Sequence, residues 1–201
     1  MRRIVQVVLV TSVILPVAAA EGAIRTFVLD GTITAVSVFG SPGFPTSAAV
    51  GDHVAYSFTF DTDAADTNPS PSIGDYIGIA SQTTIKDETF VGQAPLISIR
   101  DNSSFPSLPG VFHVESELIV AGPPLFSSAV AFFNLIDQDG SVLTGPSLPD
   151  EPYDPTSFAS TSFTIKFYAA DGSVNYDGII VPEPFSIALL LAGFAALATR
   201  R

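Results

Sequence analysis

The side chains of this chain that could perform chemistry are few and far apart. Two histidines, His53 and His113, are the only neutral-pH bases, and there is no cysteine to act as nucleophile, thiolate ligand or disulfide partner. Glu115 and Glu117 come nearest to a catalytic pair. Two residues apart on a strand, they would share one face about 7 Å apart, within the separation that carboxylate pairs of glycosidases use. Acids alternating along a strand describe a wetted face equally well, and the chain has no tryptophan to serve as a sugar platform. Each histidine falls on the polar side of its segment, so no catalytic residue is assigned. Asp61, Asp63 and Asp66, and separately Asp137 and Asp139 with Gly140, gather hard oxygen donors, yet neither run continues into a complete EF-hand loop. No metal ligand is assigned; calcium in one of these turns is the single cofactor the pattern leaves open. Glycine-rich phosphate cradles and the G-x-S-x-G elbow are absent from the sequence.

The elements that carry these residues read as strands. In His53 to Phe60, Val54, Tyr56, Phe58 and Phe60 alternate with His53, Ala55, Ser57 and Thr59, a period of two that marks a half-buried strand. Phe112, Val114, Leu118 and Val120 alternate in the same way with His113, Glu115, Glu117 and Ile119, as do Phe163, Ile165 and Phe167 with Thr164, Lys166 and Tyr168. Ala129 to Ile136 is apolar on both faces and reads as a central strand. Asp30-Gly31, between Thr26 to Leu29 and Thr32 to Phe39, reads as a hairpin turn, and Asp139-Gly140 and Asp171-Gly172 follow other strands. Asn68 to Ser72, Phe105 to Pro109 and Gly145 to Pro155 are proline-rich loops. Eight to ten strands without a helical crossover predict an all-β fold, an antiparallel β-sandwich of jelly-roll or other Greek-key character.

Charge removes one class of partner. The formal net charge is −12, and between residues 21 and 181 only Arg25, Lys86, Arg100 and Lys166 stand against nineteen acidic residues. Such a surface repels phosphate backbones, which are bound by clustered cations, so nucleic acid is excluded as a partner.

The two ends are organised differently from the body. Met1-Arg2-Arg3, an apolar run and a small-residue ending with Ala18 and Ala20 at the A-x-A positions form a signal peptide over residues 1–20. Pro16 ends its apolar helix, and the secretory translocon and signal peptidase are the partners it implies. At the other end Val181, Pro182, Glu183 and Pro184 precede the uncharged apolar segment Phe185 to Thr199 and the pair Arg200-Arg201. The two prolines forbid helix and hold an extended, accessible backbone around one charge. The apolar segment predicts a single short transmembrane helix, with the arginines kept on the cytoplasmic side. Three segments follow: signal peptide 1–20, β-sandwich domain 21–181, and C-terminal signal 182–201.

That tripartite end, together with the leader, resembles the PEP-CTERM sorting signal. The resemblance covers about the last 21 residues; Phe185 departs from it, since the family more often has a small or hydroxylated residue there. Val50 to Tyr76 and Phe133 to Phe167 are similar to the bodies of a recurrent group of such proteins with no assigned activity. The resemblance implies an exosortase, a membrane-embedded cysteine protease of Gram-negative bacteria that make extracellular polysaccharide, as the sorting partner. Pro182, Glu183 and Pro184 would be its recognition motif, and Arg200 and Arg201 the retention cluster. The expectation is an exported, non-enzymatic protein, anchored in the inner membrane with its body periplasmic until processing. It would then reside at the cell surface or in an exopolysaccharide or biofilm matrix. The alternatives are a carbohydrate-binding module or carbohydrate-active enzyme on the sandwich, with Glu115 and Glu117 as suspects, and an adhesin assembling through sheet edges. A binding module requires exposed aromatics in a row, which the positions of Tyr76, Tyr153, Tyr168 and Tyr176 decide.

Overall fold

The structure is a computed structural model that describes residues 22–43, 45–101, 109–120 and 126–181. Its ten strands are β1 (Ile24–Gly40), β2 (His53–Asp61), β3 (Ile73–Ile77), β4 (Ala80–Ile85), β5 (Glu88–Gly92), β6 (Leu96–Arg100), β7 (Gly110–Ile119), β8 (Ser128–Asp137), β9 (Ser160–Ala169) and β10 (Gly172–Val181), with one 3-10 turn at Pro155–Ser157. All pairings are antiparallel.

The pairings close a ring. Eight strands follow one another as β7-β5-β4-β2-β1-β10-β9-β8, and β8 returns to β7. The short strands β6 and β3 lie outside this circuit, β6 sharing with β5 the same edge of β7. This corrects the expected β-sandwich. Alternation distinguishes the inside of a sheet from its outside, and two facing sheets and one closed sheet have the same alternation. The difference lies in long-range pairings such as Val91↔Ile119 and Gly92↔Leu118.

The interior is filled by side chains. Tyr56, Phe58, Phe60, Phe112, Phe133, Phe163, Phe167 and Tyr176 are all fully buried, as expected for an eight-stranded barrel just wide enough to be packed. The outward positions of β2 and β9 are Ala55, Ser57 and Thr59, and Thr164, Lys166 and Tyr168. Other ring strands also carry exposed apolar side chains, among them Val28, Val38 and Phe39 of β1, Val91 of β5, Ile119 of β7 and Ile179 of β10.

Asp30-Gly31 is not a turn, because β1 runs straight through it. Gly31 is there for space: a Cβ would lie 2.6 Å from the Phe163 ring, and one on Gly178 of the neighbouring strand would also collide with that ring. The bend in β1 comes at Thr34 instead, where a bulge shifts the register between Ile33 and Ala35. Gly140 and Gly172 do carry positive φ, of 72° and 158°, after β8 and at the β9–β10 turn.

The expectation of an inner-membrane anchor is corrected as well. No helix among the described residues is long and apolar enough to cross a membrane. Phe185 to Thr199, Arg200 and Arg201 lie outside the described residues, as do Ala18 and Ala20.

Candidate functional site

The register brings scattered polar residues into one row on the outer wall. Asp75 is paired with Ser98, Ser98 with His113, His113 with Asn134, and Asn134 with Ser162, so five strands from β3 to β9 contribute one polar residue each. Alternation turns all of them away from the packed interior.

Two short hydrogen-bonded units join the first four members of the row. Ser98 Oγ donates to Asp75 Oδ1 at 2.6 Å, and Asn68 Nδ2 donates to Asp75 Oδ2 at 2.7 Å. His113 Nδ1 lies 2.7 Å from Asn134 Oδ1. An amide oxygen only accepts, so Nδ1 carries the proton in this contact. His113 Nε2 stands 3.8 Å from Glu115 Oε2, beyond hydrogen-bonding distance. Ser98, His113 and Asn134 line a shallow hollow of about 370 Å³ together with Ile73, Arg100 and Val111. Arg100 donates from Nη2 to the Pro109 carbonyl at 3.2 Å, while its Nε is buried and lacks an acceptor among the described residues. The hollow thus joins a cation, three polar groups that can donate and accept, and an apolar border, a surface suited to hydrogen-bonding a small hydroxylated or anionic group. The Ser98 hydroxyl is engaged as a donor to the Asp75 carboxylate.

The expected candidates distribute as follows. Glu115 and Glu117 share the outward face of β7, opposite Phe132 and Val130 of β8. They sit on an open wall and not in the hollow. His53 is exposed and bonds Asp30, Nε2 to Oδ1 at 2.7 Å, a contact that only the register of β1 against β2 could reveal. Among the described residues no group of three His, Asp or Glu side chains is placed to hold a metal ion. The aspartates read as calcium donors are occupied locally. Asp137 is 1% exposed, and its Oδ1 accepts from the backbone N–H groups of Gly140 and Ser141 and its Oδ2 from those of Val142 and Leu143, at 2.7 to 3.2 Å. Asp61 caps Asp63 N, and Asp66 caps both Asn68 N and Asp75 N. Hydrogen bonds from Ser141 hold the Asp139 carboxyl below its usual range.

Tyrosines form no platform. Tyr76 and Tyr176 are buried, and Tyr153 packs edge-on against Phe112 and Phe158. Tyr168 alone of these four is exposed, with Lys166 Nζ 4.8 Å from its ring centre. A second depression, of about 410 Å³, lies in the loop after β8 between Val142 and Tyr153. Burial, with the Asp137 charge adding to it, pushes the Tyr153 hydroxyl up to about 12.

Of the sorting residues, Val181 alone is described; Pro182, Glu183 and Pro184 lie outside the described residues. Val181 is the last residue of β10 and pairs with Asp30 of β1. No family model matches the chain, and neither curated proteins nor solved structures include a match.

Proposed function

We propose that this chain is an exported, non-enzymatic protein of the cell surface or extracellular matrix. On this reading a PEP-CTERM type signal at its C-terminus is read by an exosortase, and the barrel is the delivered cargo, lodged in an exopolysaccharide or biofilm matrix. The observation that carries the proposal is that the ring is already closed by residues that precede the sorting motif. β10 is held between β1 and β9, and the motif follows Val181 in the sequence. The described barrel is closed without anything beyond that point, so a protease acting after Val181 would release a complete fold.

Two further features agree with a non-enzymatic body. Glu115 and Glu117 lie on an open wall, and Asp137 is saturated by backbone donors. The carbohydrate-binding alternative has the polar hollow around Arg100 in its favour, but lacks the row of exposed aromatic rings it requires among the described residues.

The test is the intact mass of the mature protein recovered from its native host. The proposal expects loss of the leader and of the apolar end, and expects deletion of Pro182 to Pro184 to abolish the C-terminal loss. Recovery of the complete tail on extracellular protein would overturn it.

A further inference from the structure

The hollow on the outer wall is polarised by its own hydrogen bonds. Register sets two rows side by side across β3, β6, β7 and β8, with Asp75, Ser98, His113 and Asn134 in one and Ile73, Arg100, Val111 and Ile136 in the other. Each contact inside the polar row uses one hydrogen-bonding valence and so fixes the one that is left. Ser98 gives its only proton to Asp75 Oδ1 at 2.6 Å, so its oxygen offers a ligand lone pairs alone. His113 gives its Nδ1 proton to Asn134 Oδ1 at 2.7 Å, which leaves Nε2 of the neutral ring as an acceptor. Glu115 Oε2, 3.8 Å from that nitrogen, makes no hydrogen bond to it.

Asn134 and Arg100 supply the opposite valence. Asn134 takes the His113 proton on its oxygen, so the half of its amide left for a ligand is the NH2, a pure donor. The Arg100 guanidinium also only donates. It contacts the Pro109 carbonyl through Nη2, and none of the ion pairs among the described residues includes it. The hollow therefore presents two acceptors, Ser98 Oγ and His113 Nε2, beside two donor groups, Asn134 Nδ2 and the Arg100 fork.

That pattern selects by charge. An anion can only accept, so it would suit Arg100 and Asn134 but meet the lone pairs of Ser98 and His113, with the Asp75 and Glu115 carboxylates adjoining them. A cation would meet Arg100. A hydroxyl both donates and accepts, and two neighbouring hydroxyls can answer two acceptors and two donors at once. We propose that this hollow binds a vicinal diol of a neutral sugar unit in a glycan. Ile73 and Val111, paired with Arg100 from either side, give the C–H edges of the ring an apolar border. At about 370 Å³ the hollow is at the small end of ligand sites and takes one unit at a time. The proposal deepens the matrix reading, and rests on it only for the source of the sugar.

Nuclear magnetic resonance titration of the full chain tests this. The probes are methyl glucoside, methyl mannoside and methyl galactoside, which carry their diols as a glycan unit does, with glucuronate and glucosamine as charged counterparts. At least one methyl glycoside should shift the Asn134 side-chain NH2 and the Ser98 and His113 amides saturably, and the charged sugars should bind about tenfold more weakly. Asn134→Asp keeps an acceptor for His113 but replaces the donor NH2 with lone pairs, and should weaken binding about tenfold. Arg100→Gln should do the same from the other row, while Glu117→Gln, on the same face of β7 but outside the hollow, should bind as the unaltered chain does. The Phe133 and Ile165 amides report whether the barrel is intact in each variant, and if Asn134→Asp disturbs them Arg100→Gln supplies the comparison. No saturable shift with any methyl glycoside, glucuronate bound as tightly as the neutral sugars, or binding indifferent to both substitutions overturns the proposal. No sorting enzyme takes part, so failure here leaves the export reading standing, and an uncut tail leaves the binding result standing.

Discussion

Tyr56 and Phe133 stack at the centre of the barrel, ring centres 4.2 Å apart and planes within 12° of parallel. They come from β2 and β8, which stand four strands apart whichever way the ring is followed. A contact across the full width means that opposite walls are joined through side chains and that the interior is a core, not a channel.

Truncating either ring should therefore be severe. Phe133→Ala is expected to cost about 3 to 5 kcal/mol, read as a lowered denaturation midpoint with unchanged slope. Tyr56→Phe keeps the stack but removes the hydroxyl that donates to Ser116 Oγ at 3.1 Å. It should cost only about 1 kcal/mol.

Gly178 and Gly31 face the Phe163 ring from adjacent strands. Gly178→Ala should destabilise by about 1 to 3 kcal/mol through overpacking. Combining it with Phe163→Leu should be less damaging than the sum of the two changes, a coupling that a double-mutant cycle in urea would measure. Strict additivity would show that the ring does not explain the glycine.

Asp137→Ala should loosen the loop after β8. Four backbone donors would lose their acceptor, and the amides of Val142 and Leu143 should exchange faster while those of Phe133 on β8 do not. Asp137→Asn, keeping one carbonyl, should fall between. Equal exchange in all three proteins would contradict the anchoring role.

High pH should weaken the fold through its tyrosines. Burial raises the hydroxyls of Tyr56 and Tyr153 from 10.0 to about 12. The folded state then holds protons that the unfolded chain releases above 10. Their contribution is complete below pH 10 and is lost as pH climbs to about 12. Urea midpoints should fall across that window, and phenolate absorbance should rise late and together with unfolding. A midpoint flat through it would refute the assignment.

Sequence alone made the strands legible and left their assembly hidden. Val54, Tyr56, Phe58 and Phe60, and likewise Phe163, Ile165 and Phe167, alternate in the sequence and are buried as alternation requires. Ring closure was not legible because it depends on which edges meet, and the two pairs that join β5 to β7 leave no local trace. Asp30-Gly31 misled because glycine beside aspartate also signals a turn, whereas here it makes room for a ring more than a hundred residues away in the chain. The row from Asp75 to Ser162 escaped notice for a related reason. Its members are unremarkable singly and become a site when five strands are in register.

The ten-residue pairing between β1 and β10 couples the start of the body to its end. No nascent fragment short of the last strand can form the finished ring, since its opening strand would have one flank unmated along its length. Maturation of the barrel is thus a single late event, governed by the most distant contact in the chain and not by its local hairpins. Shortening the body by even one C-terminal strand should yield an aggregation-prone open sheet in place of a smaller stable domain.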